Sequence, residues 1–461
     1  MRAHEAGALH GDIGNRGPAW LRTPDDVNAL TPQLWSRHTT RGDDGALAVA
    51  GLGVREIAAE FGTPVYVLDS DDLRSRCRDF QAAFPDEDIY YAGKAFLCRA
   101  VVRMIAEEGM FLDVCSGGEL AVALAGGMPP ERIGFHGNNK SVAELSRALD
   151  AGVGRIIVDS FAEIERLTVL ARERGVRPRV LIRVTVGVEA HTHEFIATAH
   201  EDQKFGFSLA GGAAIAAALR ILDEDVLELR GLHSHIGSQI FDTSGFEVSA
   251  RRVLALQAQI RDARGVELPE LDLGGGFGIA YTTQDDPSTP HDLAKRLRKI
   301  VDSECAAERL AVPRLSIEPG RAIVGPAVFT LYQVGTVKDV DGIRTYVSVD
   351  GGMSDNIRTA LYDASYSATL ASRASVAEPM LARVVGKHCE SGDIVVKDEF
   401  LPADVQPGDL VAVPGTGAYC RSMASNYNHV PRPPVVAVRN GRARLIVRRE
   451  TEEDLLALDV G

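Results

Sequence analysis

The chain has 461 residues, 45% of them hydrophobic and 25% charged, with a net charge of −14. Those values describe a globular chain too long for one compact domain, so two domains are expected. The acidic balance argues against nucleic acid or an anionic membrane as partner, and no apolar run approaches the ~20 residues that cross a bilayer.

The opening residues lack the apolar stretch of a secretory signal. Six scattered cysteines (Cys77, Cys98, Cys115, Cys305, Cys389, Cys420) show no metal-type spacing. Both features predict free thiols in a reducing cytoplasm. Residues 1–45, rich in Gly, Pro, Asp and His, predict an extended arm. Gly53–Phe61 reads as a helix, Thr63–Asp69 as a strand, and Asp71–Ala83 as a helix capped by the Ser70/Asp71 pair. Ile89–Gly93 reads as a short aromatic strand ending at Lys94, with a helix over Ala95–Glu108. An ammonium there is either a snorkelling edge group or a desolvated amine. A desolvated amine is a nucleophile toward an aldehyde, pyridoxal phosphate above all.

From Ile89 onward short apolar strands alternate with helical patterns. The strands are Ile89–Gly93, Phe111–Cys115, Ile133–His136, Ile156–Asp159, Val180–Thr185, Leu229–His235, Leu271–Leu273 and Leu315–Glu318. Eight such units in about 230 residues predict a (β/α)8 barrel of the TIM type, with a doubly wound open sheet as the rival. Nearly every strand ends in chemistry: Lys94, Asp113 with Ser116, His136, Asp159, Arg183, His233 with His235, the glycines 274–276, then Glu318 and Arg321. Barrel active sites are built from those ends. After Gly325 the pattern changes to short β-type runs separated by turn signals such as Asp341-Gly342 and Asn440-Gly441, which predict a mostly antiparallel β-sandwich or barrel domain. The expected division is an N-terminal arm and strand over 1–69 joining the β domain, a barrel over 70–325, and the β domain over 326–461.

Several clusters admit two readings. Gly274-Gly275-Gly276 is a tight turn or a phosphate cradle, and its place after the seventh strand favours the cradle. His233-Ser234-His235 puts two imidazoles on one face of a strand, for a metal or for contacts to a flat ring. The ring reading is preferred and no metal is expected. Glu318 and Arg321 form an ion pair, or the carboxylate keeps a pyridine nitrogen protonated.

Tyr91-Ala92-Gly93-Lys94-Ala95, His233–Gln239, the triple glycine, Glu318-Pro319-Gly320-Arg321, Cys389-Glu390-Ser391-Gly392-Asp393 and Gly417-Ala418-Tyr419 form an ordered set. Together they resemble the alanine-racemase-like (fold type III) pyridoxal-phosphate decarboxylases, from about Val49 to the end of the chain. The resemblance implies that Lys94 carries pyridoxal 5'-phosphate covalently, His235 stacks on its ring and Glu318 meets its ring nitrogen. It assigns Ser238, Gly275, Gly276 and Tyr419 to the phosphate. Arg321, Arg358, Tyr362 and Tyr419 fall to the substrate. It further implies a homodimer with shared active sites, in which Cys389 (a catalytic acid) and Glu390 serve the partner's site, and a loop over the mouth at Glu189–Glu194. Phe96 departs from the family's usual asparagine, Asp350-Gly351-Gly352-Met353 has glycine where alanine is common, and the N-terminal arm is longer than in many members. Arg358 and Glu390 suit an amino acid whose far end carries both an amine and a carboxylate. Ornithine or arginine decarboxylation, or racemisation, is the alternative. Glu318 argues against a racemase, which usually places arginine at the ring nitrogen.

Overall fold

The structure, a computed structural model, describes residues 17–187, 203–341 and 343–461. Residues 74–278 with 287–322 form one unit, and residues 17–73, 279–286 and 323–461 form another.

The first unit is a ring of eight parallel strands. In chain order they are β1 (Asp88–Ala92), β2 (Phe111–Val114), β3 (Ile133–Phe135), β4 (Arg155–Val158), β5 (Arg179–Thr185), β6 (Glu228–His233), β7 (Glu270–Asp272) and β8 (Arg314–Ile317). Each pairs with its neighbour in sequence. β8 returns to β1 through Ser316–Asp88 and Ile317–Ile89, so the barrel closes and the open-sheet rival is excluded. Runs such as Ile156-Ile157-Val158 and Val180-Leu181-Ile182 are buried throughout, as strands covered on both faces must be.

The loops leaving these strands start helices by a repeated device. Ser116, Ser141 and Ser160 each accept a hydrogen bond from the amide of a glutamate three residues on, satisfying an amide that the first helical turn leaves open. One expected boundary is corrected. The helix after β1 runs Arg99–Glu107, because residues 93–98 form a turn pinned by the Ala95 amide on Ala92 O and by Tyr91 Oη donating to Phe96 O at 2.7 Å.

The second unit is mostly antiparallel, as expected. Its strands are β9 (Val328–Val340), β10 (Arg344–Val349), β11 (Pro379–Val385), β12 (Ile394–Pro402), β13 (Leu410–Pro414), β14 (Val435–Arg439) and β15 (Arg442–Val447). The strand Val65–Asp69, buried along its whole length, inserts antiparallel to β9 and parallel to β14. Leu34 and Trp35 of the arm belong to the core of this unit, Trp35 meeting Phe329 edge-on at 5.8 Å. The arm is therefore part of the packing for its second half. β12 has no counterpart in the sequence reading, since Lys397-Asp398-Glu399 interrupts its apolar run. Asp398 is accommodated by cross-strand pairing, with Arg344 Nη1 at 2.7 Å from Asp398 Oδ1.

Candidate active site

β1 ends at Ala92, and Lys94 follows in the turn, exposed. The expectation of a desolvated lysine at a buried strand end is thereby corrected: the strand stops two residues early. The charge of Lys94 still reaches its surroundings, since it raises the cost of protonating His235 and acts on Asp113 and Cys115.

Beneath that turn, strands on different sides of the barrel bring together a cluster that is wholly buried. Asp113 lies in β2, His136 follows β3, His233 ends β6 and Glu318 follows β8. His136 Nε2 and His233 Nε2 each lie 3.1 Å from Glu318 Oε1, and Asp113 Oδ1 lies 3.8 Å from His136 Nε2. Neither contact to Oε1 is aligned as a hydrogen bond, so that oxygen is a buried acceptor with no directed donor among the described residues.

The charges sort themselves by environment. Burial works against a charged Glu318, but His136 and His233 outweigh it and hold the carboxyl well below its usual range. Burial pushes His233 down to about 4, so its ring is neutral. For His136 burial is again unfavourable, yet Asp113 and Glu318 together raise it above an ordinary histidine. The atoms of His136, His233 and Glu318 also lie within 4.8 Å of one another, a spacing a divalent ion would require. A ring that keeps its proton at Nε2 has no lone pair there for a metal.

The glycine loop after β7 interlocks with this cluster. Glu318 N–H donates to Gly274 O at 3.0 Å, and a Cβ on Gly275 would sit 2.2 Å from Glu318 O. A Cβ on Gly276, at φ +106°, would sit 2.4 Å from Gly237 O, so no larger residue fits either place. Gly275 N–H donates to His235 Nδ1 at 3.3 Å, which leaves Nε2 as the protonated nitrogen of that neutral ring. Arg321 Nη2 donates to Ser238 Oγ at 2.7 Å. With its oxygen occupied as acceptor, the Ser238 hydroxyl proton is directed elsewhere.

The second unit carries the remaining residues. Arg358 opens the short helix Arg358–Tyr362 and is only 7% exposed. Nη1 donates to Tyr366 Oη at 2.5 Å and the head lies over the Tyr281 ring at 4.9 Å, with no carboxylate partner among the described residues. Tyr362 on the same helix is 59% exposed. Cys389 is exposed and Glu390 half-buried, in a turn that no hydrogen bond among the described residues joins to Arg358 or Tyr362. Asp393 fastens that turn: its carboxylate accepts from Met353 N–H at 2.6 Å and His388 N–H at 2.7 Å. The turn thus has a packing role, which its sequence did not reveal. Tyr419 sits at φ +67° beside Gly417, where a Cβ would meet Val324 O at 1.8 Å. The segment Glu189–Glu194 lies outside the described residues.

Residues 70–325 match the family model described as "Pyridoxal-dependent decarboxylase, pyridoxal binding domain". The diaminopimelate decarboxylase of Mycobacterium tuberculosis is 59% identical over 443 residues, covering 94% of this chain and 98% of its own. That of Bacillus subtilis is 47% identical over 420 residues, covering 90% and 95%. The chain belongs to the diaminopimelate decarboxylase family. The crystal structure of the M. jannaschii member in complex with L-lysine superposes with a TM-score of 0.86 at 31% identity, covering 92% of this chain and 98% of that one.

The decarboxylase family assignment gives the cluster a test of fit. Glu318 Oε1 is a buried anionic acceptor awaiting a donor, which suits a protonated ring nitrogen. At Gly275 and Gly276 the loop lies too close to the Glu318 and Gly237 carbonyls for any Cβ, so backbone alone lines this turn, which suits a phosphate. The residues present fit a pyridoxal group. Four residues of these clusters are not singled out by the sequence, Asp113 among them, a strand end like the rest. His136 was noted only as a strand end, and its contact with Glu318 depends on barrel closure. Tyr281 and Tyr366 had no signal, being single tyrosines in irregular segments.

Proposed function

We propose that this chain removes one carboxylate of meso-2,6-diaminopimelate to give L-lysine and CO2, as a pyridoxal 5'-phosphate enzyme and a homodimer in the cytoplasm. The observation that carries the choice of substrate is Arg358. A buried guanidinium that meets no carboxylate among the described residues is costly unless a ligand brings one. Ornithine and arginine bring no carboxylate at their far ends; diaminopimelate does. Glu390 supplies the complementary anion for the ammonium beside that carboxylate. All six cysteines are free, and among the described residues no helix is long and apolar enough to cross a membrane.

The cofactor, when bound, supplies an aldehyde for the substrate amine and a ring that takes up the electrons left by departing CO2. Everything else falls to the chain. Lys94 would hold the cofactor through its aldehyde. His235, a neutral imidazole, would pack against the ring, and Glu318 would keep the ring nitrogen protonated. Ser238, the Gly275–Gly276 loop and Tyr419 would hold the phosphate. Arg321, Arg358, Tyr362 and Tyr419 hold the substrate. Cys389 gives a proton to the carbon that lost CO2, its turn held in place by Asn428 Oδ1 accepting from Cys389 N–H at 3.2 Å. Cys389 and Glu390 act in the site containing the partner's Lys94.

The test is a substrate panel with cofactor present. Diaminopimelate should release CO2 and form lysine with kcat/KM about 100-fold or more above ornithine and arginine, the loss expected when a buried ionic partner is missing. Preference for ornithine would overturn the assignment.

A further inference from the structure

The barrel cluster holds two imidazoles against one carboxylate oxygen, and only one of them is placed to be charged. His136 Nε2 lies between two carboxyls, Glu318 at 3.1 Å and Asp113 at 3.8 Å. His233 Nε2 has Glu318 alone, at 3.1 Å, and faces His136 with ring centroids 5.0 Å apart. Two imidazolium rings at that separation in a buried site would repel strongly, so the proton goes to the ring with two anions beside it. Arg183 on β5 adds positive charge near His233.

We propose that His136 is a positioning residue for the decarboxylation: as an imidazolium held between Asp113 and Glu318, it keeps Glu318 ionised and oriented toward the ring nitrogen of the cofactor. The inference rests on the reading that Glu318 meets that nitrogen. A carboxylate buried this deeply would otherwise take up a proton, and a protonated Glu318 no longer favours a protonated ring. The contact from His136 is not aligned as a hydrogen bond, so His136 acts through its charge and leaves an Oε1 lone pair open for the ring N–H. Asp113 completes the arrangement by selecting which imidazole is charged.

Histidine side-chain 15N NMR of the full chain, with and without pyridoxal phosphate, reads this directly. At pH 7.5 one ring should carry protons on both nitrogens, and that signal should vanish in His136→Gln. Should that variant fail to fold, His233→Gln makes the assignment instead, because the doubly protonated signal should persist in it. In kinetics His136→Gln should lower kcat about 10- to 100-fold, with KM for diaminopimelate changed by less than about twofold, since the lost effect is on electron withdrawal and not on substrate binding. His233→Gln should lose less. A neutral His136, or a doubly protonated signal that belongs to His233, would overturn the inference. Failure of the underlying reading is distinguishable: it would show as Glu318→Gln retaining full turnover, whatever the charge of His136.

Discussion

In the barrel, Asp113, His136, His233 and Glu318 are buried together and answer one another across 3.1–3.8 Å. In the β unit, Arg358 is buried with no carboxylate among the described residues, while Cys389 stands exposed on a turn that Asp393 holds by its backbone. The barrel therefore carries a set of charges that is nearly complete in itself. The β unit carries groups to which the proposed function gives outside partners: a carboxylate for the Arg358 guanidinium, an ammonium for Glu390 and a carbon for the Cys389 thiol. The first arrangement suits a resident cofactor, the second a substrate that comes and goes.

Perturbing each side separately should give different kinetic signatures. The largest effect belongs to the barrel. Lys94→Ala should lower turnover by about 10³-fold or more and abolish covalent retention of the cofactor after borohydride reduction, with thermal stability retained. Covalent retention without Lys94 would place the attachment at another residue. On the β side, Glu390→Gln should act on binding. Loss of a charge-assisted bond worth about 1.5–3 kcal/mol should raise KM by about one to two decades, with a smaller change in kcat. An unchanged KM would remove Glu390 from the substrate site.

Stability offers a smaller contrast within the β unit. Burial raises the Asp355 carboxyl to about 7, against hydrogen bonds from Tyr332 Oη and from Gly352 N–H. The folded chain thus holds a proton that the unfolded chain releases near pH 4. The stability linked to that proton is fully present below about pH 4 and is lost as pH rises through about 7. Asp355→Asn should therefore lose several fewer degrees of Tm than wild type between pH 5 and 8. Equal slopes would mean Asp355 titrates normally. Smallest of all should be the response to metal removal. Dialysis against a chelator should leave activity within about twofold, since a protonated His136 is no ligand. Loss of activity restored by zinc would recast the His136, His233 and Glu318 cluster as a metal centre.

The barrel was legible because parallel strands buried on both faces leave continuous apolar runs, and because chemistry gathers where they end. Among the polar residues that close these runs, Asp113, His136, His233 and Glu318 are brought together by the barrel. Closure itself was not legible: nothing in Ser316 or Ile317 says that they pair with Asp88 and Ile89. For that reason His136 read as one strand end among several, and its meeting with Glu318 went unseen. The β unit was harder in a different way. Residues 279–286, including Tyr281, join it across a long stretch of barrel sequence, and β12 hides its strand character behind Lys397, Asp398 and Glu399. Leu34 and Trp35 looked like parts of a loose arm because two apolar residues make no period. The roles of Cys389 and Glu390 came from resemblance, as a turn gives no sign of which chain it serves.

Subunit exchange tests most directly the claim that the exposed groups of the β unit complete another chain's barrel. Inactive Lys94→Ala chains are mixed in equal amounts with inactive Cys389→Ala chains under conditions where exchange is demonstrated. If the sites are shared, each mixed dimer holds one site with both defects and one with neither. Random assortment makes half the dimers mixed, so about a quarter of wild-type activity should return. No recovery would mean that each chain builds its site alone, and the assignment of Cys389 and Glu390 to the partner would be wrong.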